Sequence, residues 1–241
     1  MSTTDHVTSG QNFRYSVRDG WGHLQLERPE AGNRLDLETL SAITKLLHAE
    51  SQHVGVLLIS ATGQDFCLGR ERMEKSAAVS PFEAFKPVAA FYEALSGFPG
   101  LTISAVQGRA VGFGVGLVLR TDLCIAGDDA SFTLEEILHD IPPMFVLAEL
   151  VDHLPPKHLM EMIFTGRPVA APEALAMGLI SRTVPSVDLA STARDMAAAI
   201  AKSHTSLISA CKQYIKQIRA VPQSSRLNVA LSAQTLYSPE N

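Results

Sequence analysis

The chain has 241 residues, 46% of them hydrophobic and 19% charged, with a formal net charge of −5 at pH 7. That length suits one large domain or two modest ones, and the balance excludes disordered and fibrous classes. A net acidic chain with no basic block does not suit nucleic acid, and no apolar run reaches the roughly 18 residues that span a bilayer, so neither nucleic acid nor membrane is an expected partner.

The opening segment MSTTDHVTSGQNF is polar and has no apolar signal core, so a cytoplasmic location is expected. Cys67, Cys124 and Cys211, odd in number and set in apolar or helical runs, read as reduced core thiols.

In chain order, strands are expected over 13–17 and 22–27, the second from the alternation around Leu24 and Leu26. Arg28-Pro29-Glu30-Ala31-Gly32-Asn33 has turn chemistry, and Asp36 is placed to cap an amphipathic helix carrying Leu37, Leu40, Ile43 and Leu47. The continuous apolar run over 54–60 is that of a strand buried on both faces, hence of parallel type. A loop at Thr62-Gly63-Gln64-Asp65 leads into Phe66-Cys67-Leu68-Gly69-Arg70. The segment 81–95 reads as a helix with Phe82, Phe85, Val88 and Phe91 at helical spacing, and strands follow over 101–107 and 123–126. Strands alternating with helices mark an α/β fold. From about residue 145 the pattern is almost wholly helical, over 144–152, 156–164, 171–177, 187–202, 205–218 and 224–236. A composition shift near 165–185 marks where this C-terminal helical part begins.

Gly112, Gly114 and Gly116 alternate at the opening of an apolar helix. Glycine lets backbone approach closely, and a helix start carries unsatisfied N–H groups at the positive dipole end. The stretch reads either as a site for a negatively charged oxygen or as tight helix–strand packing; its G-x-G-x-G spacing is not a dinucleotide fingerprint. The histidines lack HExxH or comparable spacing and no serine sits in a G-x-S-x-G elbow, so no metal site is expected.

Several segments share known forms. Leu26-Glu27-Arg28-Pro29-Glu30-Ala31-Gly32-Asn33 has the form L-x-R-P-E-A-x-N, and Phe66-Cys67-Leu68-Gly69-Arg70-Glu71 is similar to F-C-A-G-A-D. Gln107 to Gly114 follows N-G-x-A-x-G-G-G, and Thr121 to Ala126 follows a strand that begins C-D. Ser131-Phe132-Thr133-Leu134-Glu135-Glu136 is similar to F-x-x-P-E, and Thr165-Gly166-Arg167 with 171–180 to T-G-x-x…A-x-E-A-L-x-x-G-L-V. In this order and spacing they make the chain resemble the crotonase, or enoyl-CoA hydratase/isomerase, superfamily over roughly residues 13–238.

The resemblance implies an α/β fold: a crotonase-like ββα spiral with an acyl-CoA site over 1–185, and a helical region over 186–241 that builds a homotrimer or a dimer of trimers. It implies an acyl-CoA thioester as ligand and no other cofactor. The backbone N–H groups of Arg70 and Phe113 would receive the thioester oxygen, and Glu136 would act as acid and base at the α-carbon. Leu68, Gly69, Gly112, Gly114 and Arg28 would shape the substrate site. His139 and Asp140 read as a surface loop or as a nearby acid. Lys212 and Lys216 resemble residues that meet CoA phosphates, although a solvated helix face explains them equally well.

The chain also departs from the pattern. Gly116 stands where hydratases carry a second glutamate, so hydration is disfavoured and an enoyl-CoA isomerase with one base is the leading expectation. A hydratase, decarboxylase, hydrolase, carbon–carbon lyase or non-catalytic acyl-CoA binder are the alternatives. Met144-Phe145-Val146-Leu147 replaces a glycine-rich run after Pro143. Arg70 replaces a small residue, its guanidinium either steering an anionic group or pointing to solvent. The chain ends at Tyr237-Ser238-Pro239-Glu240-Asn241, near where relatives continue into a last helix.

Overall fold

The computed structural model describes residues 6–71 and 80–236. The expectation about the C-terminal end at 237–241 lies outside these residues. The chain begins with β1 (His6–Ser9), β2 (Phe13–Arg18), β3 (Trp21–Leu26), α1 (Leu37–Glu50), β4 (Val56–Ala61) and α2 (Pro81–Ser96). Then come β5 (Leu101–Val106), β6 (Arg109–Val111), α3 (Phe113–Leu119), β7 (Leu123–Gly127) and β8 (Ser131–Thr133). Helices α4 (Met144–Leu150) and α5 (Pro156–Thr165) precede β9 (Val169–Ala170), α6 (Ala171–Met177) and β10 (Arg182–Val184). Three helices close the described chain: α7 (Leu189–Ile200), α8 (Thr205–Ile218) and α9 (Arg226–Leu236).

Seven strands form one sheet in the order β1-β2-β3-β4-β5-β7-β10, and β6-β8-β9 form a second, smaller sheet. The pairings β1–β2 and β2–β3 are antiparallel; from β3 onward the large sheet is parallel. The apolar run in β4 explains this layering. Leu57 and Ile59 enter the main core with α1 and α2, while Val56 and Leu58 join Trp21, Ile103 and Ile125 beneath Leu189, Ala193 and Ala197 of α7. Alternate side chains of one strand thus serve two helical layers, as a parallel sheet covered on both faces requires.

Asp36 caps α1 by accepting from Thr39 N–H at 2.7 Å, as its sequence position predicts. Several short elements escape the sequence patterns, among them β1, β6, β8, β9 and β10, because two to four residues are too few to show a period. The helix expected over 81–95 forms as α2, with Phe82 75% exposed on its first turn while Val88 and Phe91 enter the core; one correction concerns a cysteine expected in the core. Cys211 is exposed, while Cys67 and Cys124 are buried; the neighbouring Lys212, not the thiol, turns inward from α8.

Candidate active site

Two backbone segments meet over the small sheet. β6 pairs in parallel with β8, from Arg109↔Ser131 to Val111↔Thr133, and residues 66–71 run along its other edge. There Cys67 bridges Ala110, its N–H donating to Arg109 O at 3.2 Å and its carbonyl accepting from Val111 N–H at 2.9 Å. Three residues beyond this rung on each segment come Arg70 and Phe113, and both line the same cleft. On its far side the 66–71 segment bridges Leu35 through Gly69 O and Glu71 N–H. Backbone groups alternate in direction along an extended segment, so Arg70 N–H points to the β6 side. Among the described residues neither Arg70 N–H nor Phe113 N–H donates to a protein acceptor, and Phe113 opens α3 with one of its orphan amides.

Two glycines make the turns that release these amides. Gly69 has φ +110° and Gly112 has φ +52° with ψ −108°, conformations costly for residues with a Cβ. Asp65 clamps the assembly, accepting from Arg109 N–H at 3.1 Å, Nε at 2.9 Å and Nη2 at 2.8 Å.

Glu136 follows β8 and opens a 3-10 turn, Glu136–His139. Its carboxylate hangs over Gly112, where an added methyl would stand 2.6 Å from Oε1. Oε2 is buried and has no hydrogen-bond partner among the described residues. Burial, above all, raises the Glu136 pKa above the ordinary carboxylate value; the charge of Glu135 adds to this, while its own backbone N–H and His139 oppose it. Leu68, Gly69, Arg70, Gly112, Phe113 and Glu136 all line one cleft of about 960 Å³, a size suited to a small-molecule site.

An apolar wall of the same cleft comes from Phe85, Val88 and Tyr92 of α2 with Phe145 and Val146 of α4. Tyr92 was not singled out in the sequence, although its spacing from Phe85 and Val88 puts all three on one helix face. Its ring stacks on Phe113 at 4.9 Å and 15°, and the Arg120 guanidinium lies 3.6 Å from the ring centre. Its hydroxyl points at Gly116: a Cβ there would overlap Tyr92 Oη and lie 3.0 Å from Cζ. The space for a side chain at residue 116 is therefore taken by a phenol. Burial raises the pKa of that phenol, so it stays neutral.

Four expected positions fall elsewhere. Arg28 lies outside the lining: Nη1 pairs with Glu71 and sits 3.9 Å from Asp36. Its N–H donates to Asn33 Oδ1 at 2.9 Å, and Asn33 Nδ2 donates to Thr62 O and Asp65 O, each at 2.8 Å. This turn holds the loops beneath the cleft. Gly114 also lies behind the lining; a Cβ there would overlap Cys67 O, so glycine lets α3 pack on the 66–71 segment. Lys212 is buried, with Nζ on Asp122 Oδ2 at 2.6 Å, Phe98 O at 2.7 Å and Gly100 O at 2.9 Å. Lys216 Nζ donates to Ser96 O at 2.6 Å. Both lysines dock α8, which corrects the solvated-face alternative for Lys212. His139 is exposed at the cleft rim, 4.0 Å from Glu135, and Asp140 ends the 3-10 turn in a left-handed conformation. Among the described residues no cluster of His, Cys, Asp and Glu has metal-site geometry.

Comparison with known proteins agrees with this architecture. The family model for enoyl-CoA hydratase/isomerase matches residues 17–239. Enoyl-CoA hydratase domain-containing protein 3, mitochondrial, of Rattus norvegicus is 31% identical over 228 residues, covering 91% of this chain and 74% of the relative. Carnitinyl-CoA dehydratase of Escherichia coli K12 is 30% identical over 212 residues, covering 83% and 78%. The crystal structure of enoyl-CoA hydratase from Mycobacterium smegmatis superposes with a TM-score of 0.87 at 23% identity, covering 95% of this chain and 91% of that one. Human enoyl coenzyme A hydratase domain-containing protein 3 superposes with a TM-score of 0.87 at 24% identity, covering 93% and 91%. The chain belongs to the enoyl-CoA hydratase/isomerase family and has the crotonase fold.

Proposed function

We propose that this protein moves a proton within an acyl-CoA thioester through an enolate, with Glu136 as its single carboxylate base, and that it isomerises 3-enoyl-CoA to 2-enoyl-CoA. The N–H groups of Arg70 and Phe113 receive the thioester oxygen. The Glu136 carboxylate takes a proton from the α-carbon, and the C–H electron pair spreads over a dienolate whose negative charge rests on that oxygen. The Glu136 carboxylic acid then returns the proton at the γ-carbon. The double bond moves from C3–C4 to C2–C3, and the base is regenerated. Donors aimed in advance at a developing oxyanion contribute roughly 3 to 4 kcal/mol each in measured cases. A carboxyl whose proton affinity burial has raised suits both halves of the transfer near neutral pH.

The observation that carries this reading is the pairing of an unsatisfied Glu136 carboxylate above Gly112 with Tyr92 filling the side-chain space at Gly116. A second carboxylate that would activate water has no room there, which supports isomerisation over hydration. Incubation with 3-enoyl-CoA is expected to yield the conjugated thioester absorbance, and Glu136→Gln to abolish it. A 3-hydroxyacyl product carrying oxygen from labelled water would replace isomerisation with hydration.

A further inference from the structure

We propose that the acyl group this cleft accepts carries a carboxylate, held by the Arg70 guanidinium; the inference rests on the thioester reading above and names its substrate class. Among the described residues the fold takes five arginines partly or wholly out of water: Arg28, Arg34, Arg70, Arg120 and Arg167. Three of them meet carboxylates. Arg28 pairs with Glu71, Arg167 with Glu161 at 3.0 Å and Glu173 at 2.6 Å, and Arg120 approaches Glu149 at 3.7 Å. Arg34 and Arg70 pair with no carboxylate among the described residues, and both line the cleft.

Each of those two makes one backbone contact. Arg34 Nη1 donates to Leu68 O, and Arg70 Nη1 donates to Glu71 O at 3.0 Å. The acids nearest in the cleft are otherwise engaged: Glu71 on Arg28, Glu135 facing His139, and Glu136 over Gly112. Guanidinium groups stay charged in proteins and are rarely withdrawn from water without a partner. A ligand anion supplies that partner, and the planar fork matches a carboxylate with two parallel N–H bonds.

The side chain's direction assigns the anion to the acyl end. The Arg70 guanidinium lies 5.5 Å over the Phe85 ring, on the apolar wall that also includes Tyr92. Its backbone N–H is the proposed donor to the thioester oxygen. One residue thus meets both ends of the acyl group, so the spacer between thioester and carboxylate is bounded by the reach of a single arginine side chain. That describes a short dicarboxylic acyl thioester, not a long fatty chain. The other anion source is the phosphates of CoA itself, and the test separates the two.

The experiment is calorimetric titration of the full chain with glutaryl-CoA and valeryl-CoA, which have five acyl carbons each, and with the corresponding pantetheine thioesters. The readout is the ratio of the two dissociation constants within each protein, so that a general loss of binding cancels. The expected ratio favours glutaryl by roughly 10- to 100-fold in the unsubstituted protein, the scale of a charge-assisted bidentate contact. Arg70→Gln is expected to bring the ratio near one, Arg70→Lys to keep part of it, and the pantetheine esters to reproduce it. Comparable binding of both esters by the unsubstituted protein overturns the inference alone. So does a ratio that survives in Arg70→Gln, or an equal loss of both CoA esters in that variant with the pantetheine esters unaffected, which assigns Arg70 to phosphate. Failure of every thioester to bind overturns the thioester reading as well.

Discussion

Two buried charged sites in this molecule are built to opposite specifications. Where α8 docks, Lys212 Nζ has three acceptors within 2.9 Å, and its partner Asp122 Oδ2 also accepts from Thr102 N–H and Oγ1, each at 2.8 Å. In the cleft, among the described residues, Glu136 Oε2 is buried with no partner and Arg70 pairs with no carboxylate. Removing charge from water is costly in both places. At the α8 anchor the cost is met within the chain and the result is rigidity. In the cleft it is left open, which fits a site whose missing partners arrive with a ligand.

The largest expected effect tests the open side of this contrast. Glu136→Gln is expected to lower kcat/KM for 3-enoyl-CoA by about 10²- to 10⁴-fold, the scale of general acid–base catalysis. The same change is expected to raise Tm at neutral pH. Burial raises the Glu136 pKa, so the folded state favours the neutral form; the penalty grows as pH rises past the ordinary carboxylate value and is complete above the raised one. The gain in Tm is therefore present at neutral pH and vanishes on acidification. A lower Tm at neutral pH, read by calorimetry, would make Glu136 a structural residue.

The closed side predicts the reverse. Lys212→Met leaves the half-buried Asp122 and the carbonyls of Phe98 and Gly100 without their buried cation, which costs about 3 kcal/mol and lowers Tm by on the order of 10 °C. At temperatures where the variant is folded, KM and kcat are expected to change little. Thermal unfolding and steady-state kinetics on one preparation measure both.

A smaller effect examines the wall between them. Gly116→Glu drives a side chain into Tyr92 Oη and is expected to cost about 1 to 3 kcal/mol by overpacking, without producing hydration. Adding Tyr92→Phe, which removes Oη and keeps the ring on Phe113, is expected to recover part of that loss relative to the single variant. Gly116→Glu with unchanged stability would show that the phenol does not hold that space. The smallest effect is electrostatic. The acid limb of the kcat/KM profile should have its midpoint above the ordinary carboxylate value, and Glu135→Gln should move it down, because the charge of Glu135 helps raise Glu136. A midpoint that does not move would remove Glu135 from the account.

Much of the fold was legible because long elements carry a period or a run. The 54–60 run, the Asp36 cap and the α1 leucines all correspond to the structure. The candidate site was legible for a different reason: its backbone donors and Glu136 belong to short segments in a recognisable order. Arg28 and Gly114 share those segments yet lie behind the cleft lining, since a motif preserves the residues that hold a loop along with those that face a ligand. Tyr92 and Arg34 were missed because neither stands in a motif. Their importance comes from what lies across from them.

From the order of residues alone came the strand-and-helix plan, the two loops that bear the free amides, and the absence of a second acid at Gly116. These are local properties of spacing and residue type, written wherever a period or a turn needs particular residues. Tertiary structure alone decided that Tyr92 fills the vacancy at Gly116, that Lys212 is an anchor, and that Arg70 lines the cleft with no carboxylate partner among the described residues. Each of those depends on contacts between residues 15 to 114 positions apart, and side-chain partnership at such separations is set by packing, which no local pattern encodes.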